Sequence, residues 1–173
     1  MKLNMAFSIL IKNGRIIDGT GSAPYMADIG VSANRIDKIG DLKNETADRV
    51  IDASNFYVTP GFIDLTNHAD VYGTLFAIPL QESLLKQGVT TILVGNCGES
   101  LAPVVKKESL NDLERWTTGF SVPINWTGVA EYYDNIEALG SGLNVATLVG
   151  HDTLRRNADM PAERAFLLEN ALL

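Results

Sequence analysis

The sequence is poor in cysteine, in basic clusters and in long apolar runs, and each of these shortages excludes certain classes of protein. Cys97 is the only cysteine among 173 residues, so no disulfide can form within the chain and the reducing cytoplasm is the expected location. The net charge is −7 and Lys and Arg form no block, which argues against nucleic acid and anionic membrane surfaces as partners. No apolar run approaches the roughly 18 residues that a membrane span requires.

The composition is that of an ordinary globular protein, with 46% apolar and 20% charged residues. This length suits one good core, or a small domain with part of another. The residue pattern changes at Pro60, which divides the chain into residues 1–59 and residues 60–173. We therefore predict an α/β protein with two parts.

Residues 1–59 contain short alternating segments separated by turn residues, which predicts a small all-β layer, one portion of a β-sandwich. Asn13-Gly14 is interpreted as a turn, and Ala33-Asn34 suits a tight hairpin. Gly19-Thr20-Gly21 is interpreted as a structural turn, because a phosphate-binding loop would continue into Lys-Ser/Thr and a helix. The predicted strands are 7–11, 15–17, 27–32, 36–39 and 49–58.

After Pro60, strands alternate with helix-length segments, which is typical of βα units and a parallel sheet. Pro79 suits the first turn of a helix that Gly88 would end, and Gly140 would end a second helix. Aromatic residues in the long connection after the second strand are interpreted as loop packing; they are Trp116, Phe120 and Trp126. The predicted strands are 62–65, 90–94 and 145–149, and the predicted helices are 79–87, 129–139 and one beginning near Asp159.

Polar side chains follow the first two of these strands, at the edge where an α/β barrel places its chemistry. Alternation puts Asp64, Thr66 and His68 on one face of the first strand, and Cys97 comes just after the second. A histidine and a thiol at the ends of neighbouring strands could share one metal ion.

Eight βα units need roughly 250 residues, whereas 173 minus 59 leaves 114. Three units cannot close a barrel, so residues 60–173 are interpreted as a truncated barrel portion. The sequence is accordingly expected to be the N-terminal part of a longer enzyme.

Several motifs now support a family resemblance. They are DGTG at residues 18–21, PGFID at 60–64, QGVTT at 87–91, VGNCG at 94–98, and the segment from Asn144 to Arg155. With these motifs the sequence resembles the N-terminal third of an N-acyl-D-amino-acid deacylase, the D-aminoacylase branch of the metal-dependent amidohydrolase superfamily. That resemblance implies a distorted barrel beside a small β-sandwich built from both chain ends.

The resemblance also implies a reaction, the hydrolysis of the amide bond of an N-acyl-D-amino acid. In such enzymes a zinc ion bound by a cysteine and two histidines from later strands polarises the carbonyl and activates water. Cys97 matches that cysteine, while the two histidines and the aspartate that serves as general base are expected beyond Leu173. No catalytic residue is therefore expected within this chain, which alone would be inactive.

One position departs from the family pattern. The superfamily has His-x-His on the first strand, and here Thr66 stands in the first position while His68 matches the second. A neutral threonine hydroxyl is a poor zinc ligand, so a single zinc ion is expected, with Cys97 and His68 as its ligands in this chain. A degenerate, inactive relative is the other interpretation.

Each candidate has an alternative role. Cys97 could be a small buried apolar residue, and His68 a hydrogen-bonded residue at the strand end. Asp64 and Asp70 would either orient the metal ligands or cap loops. His151 follows the third strand at the same edge, where it would orient a ligand or, as we favour, make a structural hydrogen bond.

Two other functions stay open at this point. One is hydrolysis of cyclic amides of the dihydroorotase or hydantoinase type, although those enzymes usually keep both first-strand histidines. The other is a truncated fragment without catalysis.

Overall fold

The structure is a computed structural model that describes residues 7–106 and 122–158. The chain divides after Pro60 into two compact units, one with a five-stranded sheet and one with a three-stranded sheet. Strands and helices together give the α/β fold that the sequence predicts. The predicted helix near Asp159, Trp116 and Phe120 lie outside the described residues.

The first unit is a mixed sheet. Its strands are β1 (Phe7–Ile16), β2 (Tyr25–Ser32), β3 (Arg35–Gly40), β4 (Ala47–Asp52) and β5 (Tyr57–Val58). β2 pairs antiparallel with both β1 and β3, whereas β4 and β5 pair with β1 in parallel. β1 is thus the strand on which the sheet is organised.

Two of the three turns predicted in this unit have opposite outcomes. Ala33 and Asn34 both have positive φ, at 48° and 62°, as a two-residue turn of the hairpin type requires, so the hairpin is confirmed. The turn at Asn13-Gly14 is wrong, because β1 continues through it with a bulge opposite β2. Asp28 is buried and its carboxylate accepts the Asn13 N–H at 2.8 Å, which holds the bulge in place.

The core of the first unit is small. Its buried apolar cluster consists of Phe7, Leu10 and Leu42, with Ala47 packed against it. Three further apolar residues are buried outside this cluster: Ile16, Ile29 and Ala53. Several apolar side chains of this unit are exposed instead: Met26, Ile36, Ile39, Val50, Phe56 and Tyr57.

The second unit has a parallel sheet in the order β6-β7-β8. Its strands are β6 (Phe62–Asp64), β7 (Val89–Val94) and β8 (Asn144–Thr147), and its helices are α1 (Thr74–Ala77), α2 (Glu82–Leu85), α3 (Val129–Leu139) and α4 (His151–Asn157). Within the described parts of the chain, no helix is long and apolar enough to cross a membrane.

The helices predicted for the second unit agree with the structure to different degrees. α3 has the predicted bounds, and Gly140 ends it with a φ of 74°. The helix predicted over residues 79–87 is confirmed only in part, because the observed helix α2 covers Glu82–Leu85 alone. A short helix that was not predicted, α1, precedes it, and the chain breaks between the two at Gln81, which has a φ of 47°. The Gln81 amide donates to the carbonyl oxygens of Thr74 and Ile78, both at 2.8 Å, and so stabilises the break. β8 ends at Thr147, earlier than predicted, and α4 was not predicted.

The second unit has the larger core. Trp126 is 3% exposed, donates its indole N–H to the Leu101 carbonyl at 2.6 Å and stacks on Phe76 with ring centroids 5.4 Å apart. The interpretation of Trp126 as loop packing is confirmed. The other buried members of this core are Ala69, Val71, Leu75, Ile92, Val94, Leu101, Ala102, Val104, Tyr132, Ile136 and Leu143.

Gly61 leads into β6 where that strand lies beside β7. A β-carbon at Gly61 would be 2.1 Å from the Thr90 hydroxyl oxygen and 2.7 Å from its β-carbon, far closer than atoms in van der Waals contact. The lack of a side chain at Gly61 therefore permits the approach of the two strands.

Candidate metal centre

The candidate site lies past the carboxyl ends of β6 and β7, which are neighbours in the sheet. Cys97 follows β7 in the turn Gly95–Gly98, and His68 follows β6. The structure places the Cys97 Sγ 3.7 Å from the His68 Nε2. The two residues that sequence analysis selected as metal ligands are therefore adjacent.

That separation fits a shared metal ion. A tetrahedral zinc with about 2.3 Å to sulfur and about 2.0–2.1 Å to nitrogen separates the two donor atoms by about 3.5 Å. The observed distance agrees with this within a few tenths of an ångström. It also permits a weak contact between thiol and imidazole in the absence of metal.

The environment of Cys97 differs from that of a buried structural cysteine. Its side chain is exposed, so the interpretation of Cys97 as a small buried apolar residue is wrong. Its φ is +57°, in the left-handed region that residues with a β-carbon seldom adopt. Such conformations persist only where the surrounding structure holds them, and they concentrate at functional sites.

The side chain of Asp64 is hydrogen-bonded to residues of its own loop. One carboxylate oxygen accepts the Thr66 N–H at 3.2 Å, and the other accepts the Asn67 amide at 2.8 Å. Thr66 is exposed at the position where a first-strand histidine was expected. The contacts of Asp64 stabilise the turn that leads to His68.

Asp70 is fully buried and contacts the turn that carries Cys97. Its Oδ2 accepts the Gly95 N–H at 3.0 Å, and its Oδ1 has no partner among the described residues. Burial raises the pKa of Asp70 to about 6, although hydrogen bonds from the N–H groups of Val71 and Gly95 oppose the shift. The carboxylate thus connects the two loops of the candidate site.

His151 is the first residue of α4, and its Nδ1 lies 3.8 Å from a carboxylate oxygen of the adjacent Asp152. Across residues 7–106 and 122–158, no three His, Cys, Asp or Glu side chains are grouped so that they could hold a metal ion. The structure brings together Cys97 and His68, and the described part of the chain adds no third ligand.

Two features of the site were missed by sequence reasoning. The Asn96 amide donates to the carbonyl oxygens of Leu93 and Asn67, and Glu99 pairs with Arg156 of α4 in a bidentate ion pair that is almost fully buried. Asn96 had a signal, since it directly precedes Cys97 in the VGNCG motif. The ion pair had none, because 57 residues separate its members.

Comparison with known proteins places these features in a family context. No protein-family model matches the chain. D-aminoacylase from Alcaligenes xylosoxydans xylosoxydans is 37% identical over 159 residues, which are 92% of this chain and 32% of the relative. N-acyl-D-glutamate deacylase from the same organism is 38% identical over 147 residues, 85% of this chain and 29% of that relative. The chain thus spans about a third of the length of the curated relatives it matches.

Solved structures give the same result. A D-aminoacylase structure described in terms of its binuclear metal center has a TM-score of 0.76 at 37% identity, covering 90% of this chain and 32% of the neighbour. The N-acyl-D-glutamate deacylase of Bordetella bronchiseptica, complexed with zinc and a phosphonate mimic of the tetrahedral intermediate, has a TM-score of 0.73 at 37% identity. The matched region covers 87% of this chain and 31% of the Bordetella chain.

These matches make the chain a relative of the amidohydrolases, a class of hydrolytic enzymes. Within that class it is a homologue of the D-aminoacylases and corresponds to the N-terminal part of their structures, as its motifs predicted.

Proposed function

We propose that this chain supplies the first part of a zinc-dependent hydrolase that cleaves the amide bond of N-acyl-D-amino acids. The observation that carries the proposal is the 3.7 Å approach of the Cys97 Sγ to the His68 Nε2, at the strand ends where α/β barrels hold their active sites. The related Bordetella deacylase, which binds zinc and a mimic of a tetrahedral intermediate, supports the same reaction class.

Cys97 and His68 would bind a single zinc ion, Cys97 as a thiolate and His68 as a neutral imidazole. Bound zinc would polarise the scissile carbonyl and lower the pKa of water. Thr66 offers no good donor for a second ion, so the proposed site has one ion where the D-aminoacylase structure is described with a binuclear metal center. Asp64 and Asp70 orient the two loops through the hydrogen bonds described above, and His151 has a structural role at the start of α4.

The rest of the site would come from the two thirds of the relatives' length that this chain does not span. We assign to it the other zinc ligands and the general base, so the 173-residue chain alone is expected to be inactive. Residues 1–59 would form a portion of a β-sandwich, which the exposed apolar side chains of its sheet support. Residues 60–173 would supply the first three βα units of a barrel, in line with the parallel order β6-β7-β8.

Cobalt titration of the 173-residue chain tests the metal site, because a thiolate ligand gives Co²⁺ an intense near-ultraviolet absorption. We expect one Co²⁺ per chain, with affinity reduced at least about tenfold in Cys97→Ser and in His68→Gln. His151→Gln is the matched control, because it changes the only other histidine, and it should bind as the parent does. Two tightly bound ions per chain, or an unchanged spectrum in Cys97→Ser, would contradict the proposal.

Assays with N-acetyl-D-amino acids and hydantoins test the remaining part of the proposal. Release of a free D-amino acid by the 173-residue chain alone would show that the assignment of the base to other residues is wrong. Ring opening of a hydantoin would favour the cyclic-amide alternative.

A further inference from the structure

The side chain of Asn96 connects the turn of Cys97 to the loop of His68. Its Nδ2 donates to the Leu93 carbonyl at 2.7 Å and to the Asn67 carbonyl at 3.2 Å. The Asn67 N–H also donates to the Leu93 carbonyl, at 3.1 Å. Both N–H groups of the Asn96 amide are thus used, and they join the end of β7 to the residue that precedes His68.

The turn between Gly95 and Gly98 depends on such support. Cys97 has a left-handed φ of +57°, which is unfavourable for a residue with a β-carbon because the β-carbon crowds the following carbonyl oxygen. Gly95 has a φ of +78°, and a β-carbon there would be 2.2 Å from the Leu148 carbonyl oxygen. The backbone around the thiol therefore has to be held by contacts outside the turn.

Those contacts differ at the two ends of the turn. At its end, the Gly98 carbonyl accepts the N–H groups of Asp152 and Thr153, at 2.9 and 3.2 Å. These bonds attach the turn to α4, and they do not involve the His68 loop. At the start of the turn, Asn96 and the Asp70 carboxylate connect it to the loop that carries His68. Asn96 is also directly adjacent to Cys97.

We propose that Asn96 is a positioning residue that holds the Cys97 thiol against the His68 imidazole. In this role it sets the separation of two metal ligands without binding the metal itself. The consequence for metal affinity rests on the proposed function, whereas the positioning of thiol against imidazole does not.

The test compares Asn96→Ala with Asn144→Ala in the 173-residue chain. Asn144 begins β8 and donates its amide to the Thr90 carbonyl at 3.0 Å, so both variants lose an amide-to-carbonyl bond beside β7, but at opposite ends of that strand. Asn96→Asp is a second variant, which keeps the side-chain shape and removes both donors. Circular dichroism and thermal melting identify any variant that fails to fold.

The first measurement is the rate at which a thiol reagent modifies Cys97, the chain's only thiol. The substitution His68→Gln is introduced into the parent chain and into each variant, and its effect on the modification rate is compared. In the parent and in the Asn144→Ala variant it should change the rate by about threefold or more, as expected for coupled neighbours. In the two Asn96 variants it should change the rate by less than half as much. Equal coupling in all backgrounds would overturn the proposal, and so would unfolding of both Asn96 variants while Asn144→Ala folds, because Asn96 would then be a structural residue.

The second measurement is Co²⁺ binding, monitored through the thiolate absorption. Asn96→Ala should weaken affinity about 10-fold to 100-fold, the usual effect of removing a residue that supports a ligand, and Asn144→Ala should leave it within twofold. Equal affinities would overturn the link between Asn96 and the metal. A parent chain that binds no Co²⁺ but shows the thiol coupling contradicts the proposed metal site and leaves the positioning of Cys97 supported.

Discussion

The two units of the chain are stabilised in different ways. The first has five paired strands, but its largest cluster of buried apolar side chains has only three members, Phe7, Leu10 and Leu42. The second has three short strands and a core of twelve buried residues, contributed largely by loops and by α3. Backbone pairing thus dominates in the first unit and side-chain packing in the second. The candidate metal centre lies on the second unit, where packed loops can hold side chains in fixed positions.

The largest effect that separates the units should come from Trp126→Ala. This change removes a buried ring, its stacking on Phe76 and its hydrogen bond to Leu101, and should cost about 3–5 kcal/mol of unfolding free energy. Urea denaturation followed by circular dichroism measures it. Phe56→Ala in the first unit is the control, since Phe56 is 68% exposed and should cost less than about 0.5 kcal/mol. Similar costs would contradict the comparison.

A smaller effect is expected from Leu10→Ala in the first unit. Leu10 is fully buried, but the few side chains around it can close over the space it leaves. The cost should be about 2–3 kcal/mol, the lower part of the range for such substitutions. Hydrogen exchange of β1 and β2 amides would report it locally, with the half-exposed Val50→Ala of β4 as control. A cost as large as that of Trp126→Ala would mean that the first unit also depends mainly on packing.

The smallest effects concern two adjacent tyrosines of α3. The Tyr132 hydroxyl is buried without a partner among the described residues, whereas the Tyr133 hydroxyl accepts the Thr147 N–H at 3.0 Å. Tyr132→Phe should therefore leave stability unchanged or raise it by up to about 1 kcal/mol, and Tyr133→Phe should lower it by about 1 kcal/mol. Thermal melting of the two variants measures the difference. Equal losses would contradict the assignment of an unsatisfied hydroxyl to Tyr132.

The parts of the fold that local chemistry decides were predictable from the sequence. Asn34 in the hairpin and Gly140 at the end of α3 are residues that tolerate positive φ, and both features were predicted from them. The bulge at Asn13 was not, because it depends on a hydrogen bond that the Asn13 N–H donates to the Asp28 carboxylate, 15 residues away. Nor was the break at Gln81, where a side-chain amide satisfies two carbonyl groups.

The candidate site likewise has features that the sequence predicts and features that depend on long-range packing. Cys97 and His68 were selected because they follow neighbouring strands, and the structure brings them within 3.7 Å. Their roles as metal ligands stay a prediction. The burial of Asp70 and the contacts of Asn96 depend on how two loops pack together, which strand patterns do not encode. The ion pair of Glu99 with Arg156 joins distant segments and was invisible for the same reason.

The close approach of Gly61 and Thr90 has a consequence for how this sequence can change in evolution. Gly61 cannot be replaced by a larger residue while Thr90 is present, because the new β-carbon would overlap the Thr90 side chain. The two positions should therefore change together in evolution: any larger residue in place of the glycine of PGFID requires a smaller one in place of the threonine that follows QGV. The glycine of the PGFID motif is then required by the close spacing of two strands, and it affects the chemistry at their ends only indirectly.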